Sequence, residues 1–142
     1  MWGHDMRFVC ARRGELWYVT VYGDYGLEVA KVAYSAIVDA CTDGGPCRAL
    51  LDCRMVEGSP TTLERYDLGE HVARENAAFQ ERGRATLLQV AFLCVAPLLD
   101  LNRFGETVAR NRGAYVKVSD DMDEALRWLG FSPRGERIAA GV

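Results

Sequence analysis

Along this 142-residue chain the spacing of apolar residues switches repeatedly between the period of a strand and that of a helix, and the order of those switches narrows the fold most. Residues 6–11 read as a short strand, Arg12-Arg13-Gly14-Glu15 as its turn, and residues 16–22 (LWYVTVY) as a second, aromatic and β-branched strand. The two form a hairpin. From Leu27 the apolar positions fall at Ala30, Tyr34, Ile37, Val38 and Cys41, the stripe of a helix buried along one side, which Gly44-Gly45-Pro46 ends. Residues 48–53 (RALLDC) suit a central strand covered on both faces, followed by a loop over 54–60. Thr61 and Glu64 have the spacing of a capping box and predict a helix over 62–82 whose charges alternate in sign. Residues 86–95 give another buried strand stopped by Pro97, and Leu101, Phe104 and Val108 mark a helix to Arg112 with Gly113 as its stop. A strand over 114–118 and a helix carried by Met122, Ala125, Leu126 and Leu129 complete the pattern. Ser119 caps that helix or, as a box with Glu124, Asp121 does; Gly130 ends it.

The order β-β-α-β-α-β-α-β-α predicts an α/β fold. Its N-terminal hairpin leads into successive αβ units on a mixed, mostly parallel sheet with right-handed crossovers, and a C-terminal helix ends it. A chain of this length holds one core, so residues 1–131 are expected to form a single domain. Pro133, Gly135, Gly141 and scattered charge leave 132–142 as a flexible tail.

Composition removes several function classes. Hydrophobic residues make up 49% and charged residues 26%, which is globular composition. With 17 Lys+Arg against 20 Asp+Glu the formal charge is −3, so no basic excess exists to neutralise nucleic acid or an anionic lipid surface. The longest apolar stretch, residues 90–99, is about half the ~20 residues a membrane span needs. The start MWGHDMRF has no signal-peptide pattern, so a cytoplasmic protein is expected. Five cysteines without a CxxC pair read as reduced thiols. Cys10, Cys53 and Cys94 read as small buried hydrophobes in strands, while Cys41 and Cys47 flank a turn and could be joined by oxidation. His4 and His71 are the only histidines, and the pair His71 and Glu75 reads as a solvated helix face, so no metal and no cofactor is expected.

The candidate site follows from the strand order, because ligands in open α/β sheets gather at the carboxyl ends of parallel strands. Asp52 at a predicted strand end, Arg54, Ser59 and Thr61 after it, and Asp100 and Arg103 after Pro97 are the candidate ligand- or partner-binding residues. The following helix N-terminus adds unpaired N–H groups. Ser59, Thr61 and Thr62 are candidate phosphoacceptors. Neither a GxSxG elbow nor a glycine-rich phosphate loop is present, and an Asp52–His71 dyad would need a nucleophile, so no enzyme is expected. Leu98, Leu99 and Leu101 either dock a helix on its own core or line a lipid-sized pocket. Trp2, Phe8, Trp17 and Tyr18 either pack a hairpin-edge homodimer or face inward, which leaves the oligomeric state open.

Several of these segments resemble one family as an ordered set. They are the hairpin ending in Tyr22-Gly23, Leu50-Leu51-Asp52 with its glycine-containing loop, Val90-Ala91-Phe92, the Asn111-Arg112-Gly113 turn and the closing Asp123-Glu124-Ala125-Leu126-Arg127-Trp128-Leu129. Over about residues 16–129 the chain is similar to the SpoIIAA-like branch of the STAS (anti-sigma-factor antagonist) superfamily, a fold shared with lipid-binding CRAL-TRIO domains. The resemblance implies a non-enzymatic module of the kind found in small soluble bacterial proteins. In phospho-regulated antagonists an Asp-Ser-Ser-Gly type motif after the third strand is phosphorylated by a partner kinase. That motif is absent here, and Ser59, Thr61 and Thr62 stand near its place. The expected function is a non-catalytic STAS-like signalling or protein-interaction module acting through the edge around residues 52–62. The alternative is a carrier of a small molecule, an anion or a lipid.

Overall fold

The computed structural model describes residues 5–41, 47–81, 88–100 and 102–138. The chain runs β1 (Arg7–Arg13), β2 (Leu16–Asp24), α1 (Leu27–Ala40), β3 (Cys47–Glu57), α2 (Thr62–Glu81), β4 (Leu88–Leu93), α3 (Phe104–Asn111), β5 (Val116–Ser119) and α4 (Met122–Leu129). The sheet is five-stranded in the order β1-β2-β3-β4-β5, with β1 antiparallel to β2 and each later pair parallel. Each parallel strand is added on the same side of the one before, so right-handed crossovers put α1, α2 and α3 on a single face. Helix α4 crosses over nothing and covers the opposite face. This is the α/β architecture that the period switches predict.

Side chains alternate along each strand and so divide the core in two. Val19, Val21, Ala49, Leu51, Val90 and Val116 meet Tyr34, Ile37, Val38, Val72 and Phe79 under α1–α3. Leu16, Tyr18, Leu50, Ala91 and Leu93 meet Ala125, Leu126, Leu129 and Phe131 under α4. Eight residues of α4 span only about 12 Å. The helix packs chiefly on β3–β5, and on β1 Val9 stays 56% exposed.

Three expectations need correction. Strand β3 continues through Glu57, where the sequence predicts a loop from Arg54, because Met55, Val56 and Glu57 pair with Tyr22, Gly23 and Asp24. The exposure of Arg54, Met55 and Glu57 reflects an uncovered face rather than a loop. A bulge opposite Thr20–Tyr22 adds one residue to β3, which lets both Cys53 and Val56 point into the same core layer. Cys10, expected to be buried, is exposed because β1 is an edge strand. Cys41 and Cys47, expected as reduced thiols, are paired in a disulfide with Cα atoms 5.8 Å apart, a normal bridging separation. The turn 42–46 between them lies outside the described residues.

The start of α2 and both ends of α4 match their sequence signals. Thr61 Oγ1 accepts from the Glu64 N–H at 3.1 Å, and the Thr61 N–H donates to Glu64 Oε1 at 2.8 Å, which completes the capping box. Asp121 caps α4 by accepting from the N–H groups of Asp123 and Glu124, and Ser119 Oγ holds the Glu124 carboxylate at 3.0 Å. Asp121 is therefore the cap, and Ser119 supports it from outside the helix by accepting from the Asp121 N–H. Gly130 ends α4 at φ 92°, and Phe131 behind it is buried. Residues 132–138, in the segment predicted as a tail, fold back so that the Ile138 N–H and Arg137 Nη1 donate to the Gly130 carbonyl. Residues 139–142 lie outside the described residues. Among the described residues no helix is long and apolar enough to cross a membrane.

Candidate functional site

The carboxyl ends of β3 and β4 open onto two connections that meet. After β3, Gly58 turns at φ 115° close against Tyr25, whose N–H donates to the Glu57 carbonyl at 2.8 Å. Ser59 and Thr61 are exposed beyond it, Pro60 is buried, and α2 begins at Thr62. After β4, Asp100 organises the second connection by accepting from the N–H groups of Phe104 at 2.8 Å and Asn102 at 3.1 Å. The Phe104 N–H holds the Asp100 carboxyl below its ordinary range. Arg103 adopts a left-handed backbone at φ 50° and donates from Nη1 to the Val118 carbonyl.

Arg65 ties the two connections together. Its Nη1 donates to the Leu98 carbonyl at 2.8 Å and its Nη2 to the Pro97 carbonyl at 3.3 Å. The sequence reading treats Arg65 as one of many alternating charges. A usable signal exists, because Arg65 precedes Gly69 by four and Val72 by seven and so falls on the buried stripe of α2.

Ser59, Thr61, Asp100 and Arg103 thus share one end of the sheet, as predicted, while Asp52 and Arg54 do not join them. Asp52 is in mid-strand on the α4 face, 8% exposed. Tyr18 Oη donates to its Oδ2 at 2.6 Å, and Arg54 grips both oxygens, Nε to Oδ1 at 2.9 Å and Nη2 to Oδ2 at 2.8 Å. Burial pushes this carboxyl up, but the hydrogen bonds from Arg54 and Tyr18 outweigh it and hold the group below its ordinary value. With its oxygens occupied, Asp52 holds the sheet together rather than facing a ligand.

Catalytic arrangements fare poorly in this geometry. The sheet separates Asp52 from His71, whose Nε2 lies 3.1 Å from the Lys31 carbonyl and 2.9 Å from Ser35 Oγ, joining α2 to α1. Hydrogen bonding with Cys94, together with burial, pushes the Cys53 thiol well up, so it stays protonated and is a poor nucleophile. Among the described residues no cluster of three or more His, Cys, Asp or Glu could hold a metal.

Between the sheet and helices α1–α3, directly beneath the Arg65 clasp, lies an apolar cavity of about 140 Å³. Leu98 and Leu99 line it, and Leu101 is outside the described residues.

No protein-family model matches this chain, and no curated protein matches it. Among solved structures it is similar to an anti-sigma factor antagonist from Mycobacterium paratuberculosis, with TM-score 0.50 and 14% identity over 88% of this chain and 94% of that one. It is also similar to an uncharacterised protein with a SpoIIAA-like fold from Shewanella loihica, with TM-score 0.49 and 18% identity over 89% of this chain and 94% of that one. At 14% identity the first likeness speaks for the fold alone: the chain shares the fold of that anti-sigma factor antagonist.

Proposed function

We propose that the protein is a non-catalytic STAS-like signalling module that binds a protein partner through the end of the sheet formed by residues 59–63 and the connection around Asp100 and Arg103. One observation carries the reading. Leu63, in the first turn of α2, is 68% exposed beside the exposed residues Ser59, Thr61 and Thr62. A large apolar side chain held out on a rigid helix beside polar, modifiable ones suits an interface core with a polar rim. The Arg65 clasp and the Asp100 cap keep that surface preorganised, which lowers the ordering cost of association.

The three hydroxyls are not equivalent as phosphoacceptors. A phosphate on Thr61 would face the Glu64 carboxylate and break the capping box, whereas Ser59 lies outside the box. Ser59 is therefore preferred over Thr61.

Leu63→Asp changes a solvent-exposed residue and should alter stability by no more than about 0.5 kcal/mol. In size-exclusion chromatography of extract from source cells it should move the tagged protein from a complex to the monomer position, while Val9→Asp on β1 leaves the complex intact. The opposite pattern would place the contact at the hairpin edge and overturn the reading.

A further inference from the structure

We propose that the cavity under the Arg65 clasp is a binding site for a small, uncharged, largely apolar molecule of about one ring that carries one hydrogen-bond acceptor. The proposal does not depend on the protein-partner surface.

Size sets the first limit. The cavity is open to solvent on one side and offers about 140 Å³ of free space beneath the clasp. An apolar cavity of roughly 150 Å³ takes a benzene, which makes this one too small for a fatty chain and large enough for a substituted ring. Leu51, Val72, Phe92, Leu98 and Ala109 give its walls their apolar character.

Charge sets the second limit. The charged lining residues are two of each sign, Arg65 and Arg103 against Asp100 and Glu106, and every one is bonded to backbone. Arg65 donates to the Leu98 and Pro97 carbonyls and Arg103 to that of Val118, while Asp100 accepts from Phe104 and Glu106 accepts from the Val118 N–H at 2.6 Å. No net charge is left to attract an ion, so the anion of the sequence-based alternative is disfavoured.

The hydrogen-bonding requirement comes from two tyrosines. Tyr25 and Tyr34 both line the cavity, Tyr34 is 1% exposed, and the hydroxyls of both are buried without a partner. Burial pushes the Tyr25 phenol up to about 12 and Tyr34 further still, so both remain protonated donors. A buried donor without an acceptor is costly, and a ligand carbonyl or ether oxygen would relieve it when either ring tips its hydroxyl, which now has almost no accessible surface, into the cavity. The half-buried Leu98, Leu99 and Arg103 mark the side nearest solvent.

The test uses the full chain with labelled methyl groups and four probes: acetophenone, benzene, benzoate and decanoate. Acetophenone is expected to give saturable shifts at Leu51, Val72, Leu98 and Leu99 and to bind about fivefold more tightly than benzene, the worth of one neutral hydrogen bond. Benzoate and decanoate should leave these methyls unmoved. Tyr25→Phe/Tyr34→Phe should bring acetophenone down to the benzene affinity without changing benzene binding, and unchanged benzene binding would also show that the variant is folded. Absence of saturable shifts with acetophenone and benzene alike would overturn the site. Tighter binding of benzoate or decanoate would overturn the ligand class.

Discussion

Gly69→Val is expected to destabilise the fold by about 3 kcal/mol, the upper range for overpacking a closed interior. Gly69 lies on the buried side of α2, and a Cβ there would meet the Gly105 carbonyl oxygen at 2.8 Å and Val108 Cβ at 3.0 Å. From the other side, a Cβ at Gly105 would meet the Arg65 carbonyl oxygen at 3.2 Å. The two glycines let the backbones of α2 and α3 touch. An alanine at position 69 would gain about 1 kcal/mol of helix propensity, but the obstacle is backbone and cannot rotate away, so Gly69→Ala should still lose stability. Urea unfolding with an unchanged m-value and a lowered midpoint would be the expected signature. A more stable Gly69→Ala would mean that α3 is free to shift, and the close crossing would then not be what positions Asp100 and Arg103.

Asp52→Ala should cost a similar amount, about 3 kcal/mol, through a different mechanism. Tyr18 is 9% exposed, and its hydroxyl would lose its acceptor inside the core. Arg54 would lose a two-point contact, but its side chain is 45% exposed and can rehydrate, which keeps the cost below that of a fully buried pair. The pH dependence has a definite sign. Because the folded-state carboxyl titrates below its unfolded value of about 3.9, its contribution is fully present above pH ~4 and fades as pH falls through the folded value. Asp52→Asn should lack that component. The stability gap between wild type and Asp52→Asn should therefore be widest above pH ~4 and narrow in acid, as followed by urea midpoints at a series of pH values. A gap independent of pH would show that the carboxylate charge contributes nothing.

These two sites also mark where sequence reasoning works and where it stops. The alternation of apolar periods was enough for the strand and helix order, because each helix has to bury one stripe and each central strand both faces. Caps at Thr61 and Asp121 and the stop at Gly130 were equally legible, since they depend on local hydrogen bonds and backbone angles. What the sequence hides is whether a polar strand residue faces an uncovered half of the sheet. The stretch from Arg54 to Glu57 resembles a loop because α4 is short, although its backbone pairs with β2. That error displaced Asp52 from mid-strand to the strand end and made a structural carboxylate look like a ligand group. Cys10 misled in the same way, an apolar residue whose strand has no outer neighbour. Gly69 and Arg65 lie on one stripe of α2 that the alternating charges obscure, and the contact with α3 and its preceding connection shows what the two residues do.

The account places the working surface at residues 59–63 and assigns Asp52 and Arg54 to the framework. Site-specific photo-crosslinking in living source cells tests that division most directly, with p-benzoylphenylalanine introduced in turn at Ser59, Leu63, Val9 and Arg54. Discrete protein adducts from positions 59 and 63, and none from 9 or 54, are the predicted result. Adducts from position 9 or 54, with none from 59 or 63, would contradict it and move the working surface to the open face of the β1–β3 half of the sheet.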